Sequence, residues 1–329
     1  MSMAKLSVAA LLASAFLPSL AHAEITYFSS AQALVQSASE GCLTEDCVKQ
    51  PQYYEQNFDP AGGQVSASRT YTYDVGTATA NATADLSTGT MKAYADVEAT
   101  QALGSSTLSA QARVDIGDSF RAVSGNSPFT WTSEDEASFT FDVSGVVDFL
   151  GASSNSAIAL TILAPGTLDA YARWVGGDNS AYYEWYPTEI ADFTYQLGPG
   201  TTNYPWVDAT ATSYPTSFTA SFNPGGDFDW VMTLNLDPYL GYPAGAGAHG
   251  LDDFSHTVLA SYQGPQGATT LSASGLFPGT VALDAAPGGV PEPASWTLML
   301  LGFGGLGAML RRARRDDGDP AAATPVRAA

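Results

Sequence analysis

Alternation of apolar and polar residues is the feature that most limits how this chain can fold. Apolar side chains occupy positions 65, 67, 71, 73 and 75, with Ser, Thr and Asp between most of them, and positions 108, 110, 112, 114 and 116 repeat the pattern. Successive side chains of a strand point to opposite faces, so period two predicts half-buried antiparallel strands. Further runs begin at Phe139, Ile158, Phe193, Phe218 and Phe228. With Gly, Pro and Asn between them, these runs predict an all-β antiparallel sandwich of about ten strands, for which a jelly roll is one arrangement.

Helical patterns are scarce in the same region. Only residues 30–37 offer a short helix as an alternative to a strand. Glycine-rich phosphate-binding loops of either common type are missing from the sequence, which disfavours nucleotide-binding α/β folds.

Acidic residues outnumber basic ones by 33 to 12, and the net charge is −21. Such a chain repels phosphate backbones, so nucleic acid is excluded as a partner. A solvated acidic surface is the preferred interpretation of these carboxylates. Asp227 and Asp229, after a turn at residues 223–226, are a calcium candidate, although a turn with solvated acids is the commoner structure. Neither another metal site nor a cofactor is expected.

The first 23 residues have the three parts of a secretory signal peptide. Lys5 supplies the positive charge, residues 6–17 are apolar, and Ala21 and Ala23 form the cleavage site. Twelve apolar residues span only about 18 Å as a helix, less than the ~30 Å of a bilayer core, which disfavours a retained anchor. The sequence therefore predicts export, with a mature chain that starts at Glu24.

A second membrane-directed segment lies near the other end. Residues 24–284 are the predicted acidic β-sandwich ectodomain, and residues 285–290 a Gly- and Pro-containing linker. Pro291, Glu292 and Pro293 then precede a charge-free stretch, residues 294–310, which predicts a single transmembrane helix. The anchor residues are Trp296, Leu298, Leu300, Leu301, Phe303, Leu306 and Leu310, and the stop-transfer residues are Arg311, Arg312, Arg314 and Arg315. The positive-inside rule leaves the ectodomain outside the inner membrane, and residues 316–329 are a predicted disordered tail.

The order of Val290-Pro291-Glu292-Pro293, a Gly-rich apolar helix and an arginine cluster resembles the PEP-CTERM sorting signal. Gram-negative bacteria that make exopolysaccharide carry this signal. The resemblance implies that an integral-membrane exosortase recognises Pro291, Glu292 and Pro293. Cleavage near this motif would then release the ectodomain or transfer it to the cell surface.

Two cysteines, Cys42 and Cys47, lie close together in the predicted mature chain. In an exported protein they predict a local disulfide, with a free pair as the alternative. A metal or redox role would need more ligands than this segment offers.

The sequence gives little indication of a catalytic site. The predicted mature chain has two histidines, His249 and His256, and no nucleophile elbow, so no catalytic residue is assigned. Carboxylate pairs suited to glycan hydrolysis occur at residues 134–136, at Asp227 and Asp229, and at residues 252–253. A secreted glycan hydrolase is therefore the third hypothesis.

Aromatic residues gather between positions 171 and 206. They are Tyr171, Trp174, Tyr182, Tyr183, Trp185, Tyr186, Tyr195, Tyr204 and Trp206. Exposed rings can stack on sugars, although core and loop packing is the preferred interpretation. The first hypothesis is thus a non-enzymatic cell-surface or matrix protein, with an exosortase and the inner membrane as partners. The second is a polysaccharide-binding module, with exopolysaccharide as ligand.

Overall fold

A computed structural model describes residues 25–39, 53–125, 127–197 and 212–283, and within them most of the chain is in strands. The strands β1 to β17 are Tyr27–Ser39, Tyr53–Asp59, Val65–Tyr73, Gly76–Asp85, Thr90–Ala99, Ser106–Ser124, Ser127–Pro128, Ala137–Leu150, Ser153–Ser154, Ala157–Leu163, Glu189–Gln196, Thr212–Phe222, Phe228–Leu236, Pro238–Leu240, His249–Gln263, Thr269–Ser272 and Val281–Ala282. The helices are α1, Leu168–Val175, and α2, Tyr182–Trp185, with 3-10 turns at Leu86–Thr88, Asn179–Ala181 and Tyr186–Thr188.

The strands form two sheets that enclose one main core. Sheet A has the order β11-β10-β13-β6-β1-β2, with the short strands β7, β9, β14, β16 and β17 attached, and sheet B has the order β12-β8-β15-β5-β4-β3. Neighbouring strands are antiparallel in the described residues except for β16 and β17. The predicted all-β sandwich is confirmed.

Strand β6 is the centre of sheet A. Its 19 residues pair with β1 on one side and with β13 and β14 on the other. The predicted face, from Leu108 to Ile116 in steps of two, is fully buried between the sheets. The period-two pattern therefore assigned the core face of this strand correctly.

The helical alternative for residues 30–37 is wrong, because these residues belong to β1. Ala31, Ala33 and Val35 alternate into the core, and β1 pairs with both β2 and β6. Two neighbouring strands satisfy its backbone groups, and burial of every second side chain outweighs the helix propensity of alanine.

Helix α1 packs on the outer face of sheet A, away from the main core. Leu168, Tyr171 and Val175 are buried against Phe28 and Val231. The approach is close at Gly117, where a Cβ atom would lie 2.7 Å from the Phe28 ring and 3.0 Å from Leu168. Apolar residues at 168, 171, 172 and 175 have helical spacing, so the sequence held a signal for this helix that the strand pattern obscured.

Several predictions concern residues outside the described ranges. They are the signal peptide with Ala21 and Ala23, the Cys42–Cys47 disulfide, the linker, and the sorting signal with its membrane helix over residues 294–310. Within the described ranges, no helix is long and apolar enough to cross a membrane.

Candidate functional site

The predicted aromatic cluster lies over the outer face of sheet A, where residues 168–188 form helical turns rather than a strand. Tyr171 and Trp185 are buried, and Trp174 is half-buried. Their rings are close, with centroids 4.8 Å apart for Tyr171 and Trp185 and 5.5 Å apart for Trp174 and Trp185. These three rings pack α1 and α2 together, as the packing interpretation expected.

The remaining aromatic residues divide into three groups. Tyr183 and Tyr186 are 79% and 56% exposed, so both rings face solvent. Tyr195 on β11 stacks on Phe218 of β12, with centroids 3.7 Å apart, and thereby joins the edges of the two sheets. Tyr204, Trp206 and the side chain of Tyr182 lie outside what the structure describes.

A buried polar cluster lies beneath α1. The Asp115 carboxylate is fully buried and accepts hydrogen bonds from Arg113 Nε and Nη2, at 3.0 and 2.9 Å, and from Thr233 Oγ1 at 2.7 Å. Tyr171 Oη donates to the same carboxylate at 3.2 Å. Three elements, β6, β13 and α1, therefore meet at one compensated ion pair, which sequence analysis missed because Thr233 and Tyr171 are distant in sequence from Arg113 and Asp115.

Burial and charge act in opposite directions in this cluster. Burial alone would lower the pKa of Arg113, but Asp115 and Tyr171 hold it above its ordinary value. Burial raises the pKa of Tyr171, and the neighbouring Asp115 adds to the rise. Arg113 therefore remains a cation and Tyr171 a neutral hydroxyl at any physiological pH.

Asp227 and Asp229, the calcium candidates, have protein partners at another position on sheet A. Asp229 is 2% exposed, and its Oδ2 accepts from the backbone N–H groups of Thr167 and Leu168, both at 2.9 Å, at the start of α1. Asp227 pairs with Arg121 at 2.8 Å. Burial raises the pKa of Asp229, and its hydrogen bonds oppose the rise.

These two carboxylates line a shallow cleft of about 190 Å³ together with Ile25, Arg121 and Gly166. Among the described residues, no group of three or more His, Cys, Asp or Glu side chains could hold a metal ion. The structure therefore gives Asp229 a role in capping α1 and Asp227 a role in a surface ion pair.

The remaining catalytic candidates differ in their hydrogen-bond partners and in their exposure to solvent. His249 Nε2 is 3.6 Å from Asp148 Oδ1, and His256 is exposed. Asp252 is fully buried, where Ser154 and Ser156 donate to its Oδ2 at 2.7 and 2.6 Å, whereas its neighbour Asp253 accepts from Ser255 within β15. Residues 134–136 belong to a loop in which Asp135 accepts from Thr132.

A second buried carboxylate has the same pattern of serine partners. Asp118 is fully buried and accepts from the hydroxyls of Ser272 and Ser274 at 2.6 and 2.5 Å. Burial raises the pKa of Asp118 and of Asp252 to about 6, although the serine hydrogen bonds oppose the rise. Sequence analysis missed Asp118, even though its even-numbered position continues the buried face of β6.

The described part of the chain thus defines a β-sandwich domain with a helical cap on one outer face. Residues 289–315 match the family of the PEP-CTERM protein-sorting motif, which confirms the resemblance of residues 290–315. The chain therefore carries a PEP-CTERM sorting motif, and this motif implies export and sorting to the cell surface. No curated protein and no solved structure shows significant similarity to the chain.

Proposed function

We propose that this chain is an exported cell-surface protein that an exosortase sorts and processes, and that it has no catalytic activity of its own. The match of residues 289–315 to the sorting motif carries the proposal. The predicted signal peptide supports it, because a chain exported from its N-terminus and stopped by Arg311, Arg312, Arg314 and Arg315 leaves the sandwich outside.

In this proposal the segments of the motif have separate roles. Pro291, Glu292 and Pro293 are read by the exosortase. The apolar residues 294–310 hold the chain in the membrane until cleavage, and their short, glycine-containing stretch suits a temporary anchor. Cleavage then places the acidic sandwich at the surface or in the surrounding matrix.

Replacement of Pro291, Glu292 and Pro293 by alanine tests the sorting. We expect the variant to accumulate at full length in the membrane fraction, whereas the wild-type chain is shorter and reaches the surface or medium. Pro287→Ala in the linker is the matched control, because it changes a proline outside the motif. If the triple variant keeps the size and location of the wild-type chain, the proposal that an exosortase sorts this chain is wrong.

We propose polysaccharide binding as a second function of the surface-exposed domain. The exposure of Tyr183 and Tyr186 favours it, because solvent-facing rings can stack on the apolar faces of sugars. Arg173 holds this segment in place by pairing with Asp169 at 3.0 Å, with Asp178 at 3.3 Å and with Glu184. The rings are therefore presented on an ordered surface.

Affinity electrophoresis in gels that contain the host's exopolysaccharide tests this binding. We expect the polysaccharide to retard the wild-type chain, and we expect Tyr183→Ala and Tyr186→Ala to reduce the retardation. Trp185→Ala is unsuitable as a test, because Trp185 is buried and its removal would disturb the fold. Equal mobility with and without polysaccharide would contradict the second function.

The hydrolase hypothesis lacks a comparable observation among the described residues. Asp252 has no contact with solvent, and Asp229 is committed to the start of α1. Neither carboxylate is placed to reach a glycosidic bond.

A further inference from the structure

One row of side chains crosses the outer face of sheet A beside the end of α1. Strand pairing aligns Gln56 with Gln32, Gln32 with Arg113, and Arg113 with Asn235 on β2, β1, β6 and β13. The row continues through Ala157 on β10 to Gln196 on β11. Adjacent strands are about 4.8 Å apart, so the first four side chains span roughly 14 Å. We refer to Gln56, Gln32, Arg113, Asn235 and Gln196 as the amide row.

Carboxamides are the main polar groups of this row. Each carboxamide can donate two hydrogen bonds and also accept, which matches the mixed donor and acceptor character of a sugar hydroxyl. Gln111 donates to Asn235 Oδ1 at 3.1 Å, which fixes the orientation of that amide. Gln32 is partly exposed and makes no side-chain hydrogen bond to the described residues.

The row is held on one side by the last turn of α1. Gln56 Nε2 donates to the carbonyl of Val175, and Tyr54 Oη donates to Gln56 Oε1. The Arg113 guanidinium lies 5.4 Å from the centre of the Trp174 ring. A half-buried indole therefore stands at the centre of the row, and the half-exposed Tyr54 lies beside its end.

The amide row itself carries no uncompensated charge among its five side chains. Arg113 is the one ionised member of the row, and its charge is compensated by the fully buried Asp115 below. Its side chain is 24% exposed, and its Nη1 has no acceptor among the described residues. The neighbouring row contributes Tyr54, Leu34 and Gln111, none of them acidic. Asp237, two positions after Asn235, has no basic partner among the described residues, and burial raises its pKa. The row itself contains no carboxylate.

We propose that the amide row is a binding site for an uncharged polysaccharide. Its amides and the Arg113 guanidinium would hydrogen-bond the hydroxyls of a short glycan segment, with Trp174 and Tyr54 against the apolar faces of the sugars. A neutral glycan fits better than an anionic one, because the chain has a net charge of −21 and the one cation of the row, Arg113, is compensated by Asp115. This inference rests on the second proposed function and adds the face of sheet A as a second contact surface to that of Tyr183 and Tyr186.

Affinity electrophoresis of the purified full chain with defined polymers tests the proposal. Dextran and galactomannan are the uncharged probes, and polygalacturonate is the anionic one. We expect at least one uncharged polymer to retard the wild-type chain and polygalacturonate to leave its mobility unchanged. Gln32→Glu should weaken the retardation at least tenfold, because the carboxylate removes both amide donors and adds charge to the row.

Gln263→Glu is the matched control, because it makes the same change at an exposed position of β15 in sheet B. Circular dichroism of both variants checks that the fold is kept. Equal retardation of the wild-type chain and Gln32→Glu would overturn the proposal, and so would the absence of retardation by both uncharged polymers. If Tyr183→Ala abolishes binding and Gln32→Glu does not, the proposal that the amide row binds the glycan is wrong, and binding at α2 is supported. Sorting by the exosortase is measured by fractionation and is independent of these outcomes.

Discussion

The two halves of the sandwich core follow the same alternating pattern but are filled in opposite ways. The half between β3, β4 and β5 and the strands β1 and β6 is rich in alanine, with larger residues such as Met91, Leu108 and Ile116 between the alanines, which are Ala31, Ala33, Ala67, Ala78, Ala80, Ala82, Ala84, Ala93, Ala95, Ala99, Ala110 and Ala112. The other half is filled by rings, namely Phe120, Phe139, Phe141, Phe149, Phe222, Phe228, Trp230, Tyr262 and Phe277.

The two sheets lie closer together in the half with the smaller side chains. In the alanine half, Cα atoms of β4 and β5 lie within 8 Å of β6 across the core, closer than the usual ~10 Å between packed sheets. In the aromatic half, β8 and β12 make few such approaches to β10 and β13. One half thus depends on close backbone contact and the other on the volume of its rings, so the two should respond oppositely to changes in side-chain size.

Removal of a ring from the aromatic half should have the largest effect. Trp230 is fully buried and contacts Phe120, Phe139 and Phe277, with ring centroids 4.8 to 5.3 Å apart. Trp230→Ala should lower the free energy of unfolding by about 3–5 kcal/mol, because a cavity remains. Urea denaturation measures this loss. Tyr183→Ala, at an exposed ring, should change stability by less than about 0.5 kcal/mol. A loss below about 1 kcal/mol for Trp230→Ala would show that the aromatic half can collapse around the gap.

Acidification should affect both halves, since each contains one buried carboxylate. Asp118 pairs in register with Trp230, and Asp252 pairs with Ala95. Burial raises the pKa of each from 3.8 to about 6. At a pH between 3.8 and about 6, these two carboxyl groups are largely protonated in the folded chain and largely ionised in the unfolded chain. Lowering the pH from 7 to 4 should therefore favour folding through these two groups. The gain is at most about 3 kcal/mol for each group.

Asp252→Asn separates this contribution from that of other carboxylates. The variant should gain less stability than the wild-type chain between pH 7 and pH 4, as measured by urea midpoints. Asp142→Asn, at an exposed position of β8, should keep the wild-type dependence. An unchanged pH dependence in Asp252→Asn would mean that Asp252 does not titrate in this interval.

Enlargement of a small residue in the alanine half should have a smaller effect than the loss of a ring, but one of the same sign. Ala80 is fully buried on β4 and lies opposite Ala95. Ala80→Leu should cost about 1–3 kcal/mol, because the sheets must separate to admit the side chain. Thr79→Leu points to the outer face and serves as the control for β propensity. If Ala80→Leu stabilises the chain, the alanine half contains space, and the contrast between the halves is wrong.

The sequence predicted the features that are local. Alternation identified the strands and the buried face of β6, and a contiguous motif identified the sorting signal. The sequence could not predict the alanine-rich and aromatic halves of the core. Alternation shows which face of its strand a residue occupies, but not which residues of the other sheet lie opposite it. Similarly, the amide row brings together positions 32, 56, 113 and 235, and only the pairing of distant strands makes them neighbours. Helix α1 was visible in its spacing but is only eight residues long.

The pairing of β6 has a consequence for the order of events during secretion. β6 pairs with β1, which begins at Tyr27, and also with β16, which ends at Ser272. β16 in turn pairs with β17, which ends at Ala282, so for a chain exported from its N-terminus sheet A cannot be complete until residue 282 has passed the membrane. Contacts so distant in sequence are slow to form. The proposed membrane segment begins 12 residues later, at residue 294, so under the proposed sorting the last strand can dock before cleavage releases the chain. The anchor would thus keep each molecule at the membrane throughout the interval in which its sheets are incomplete.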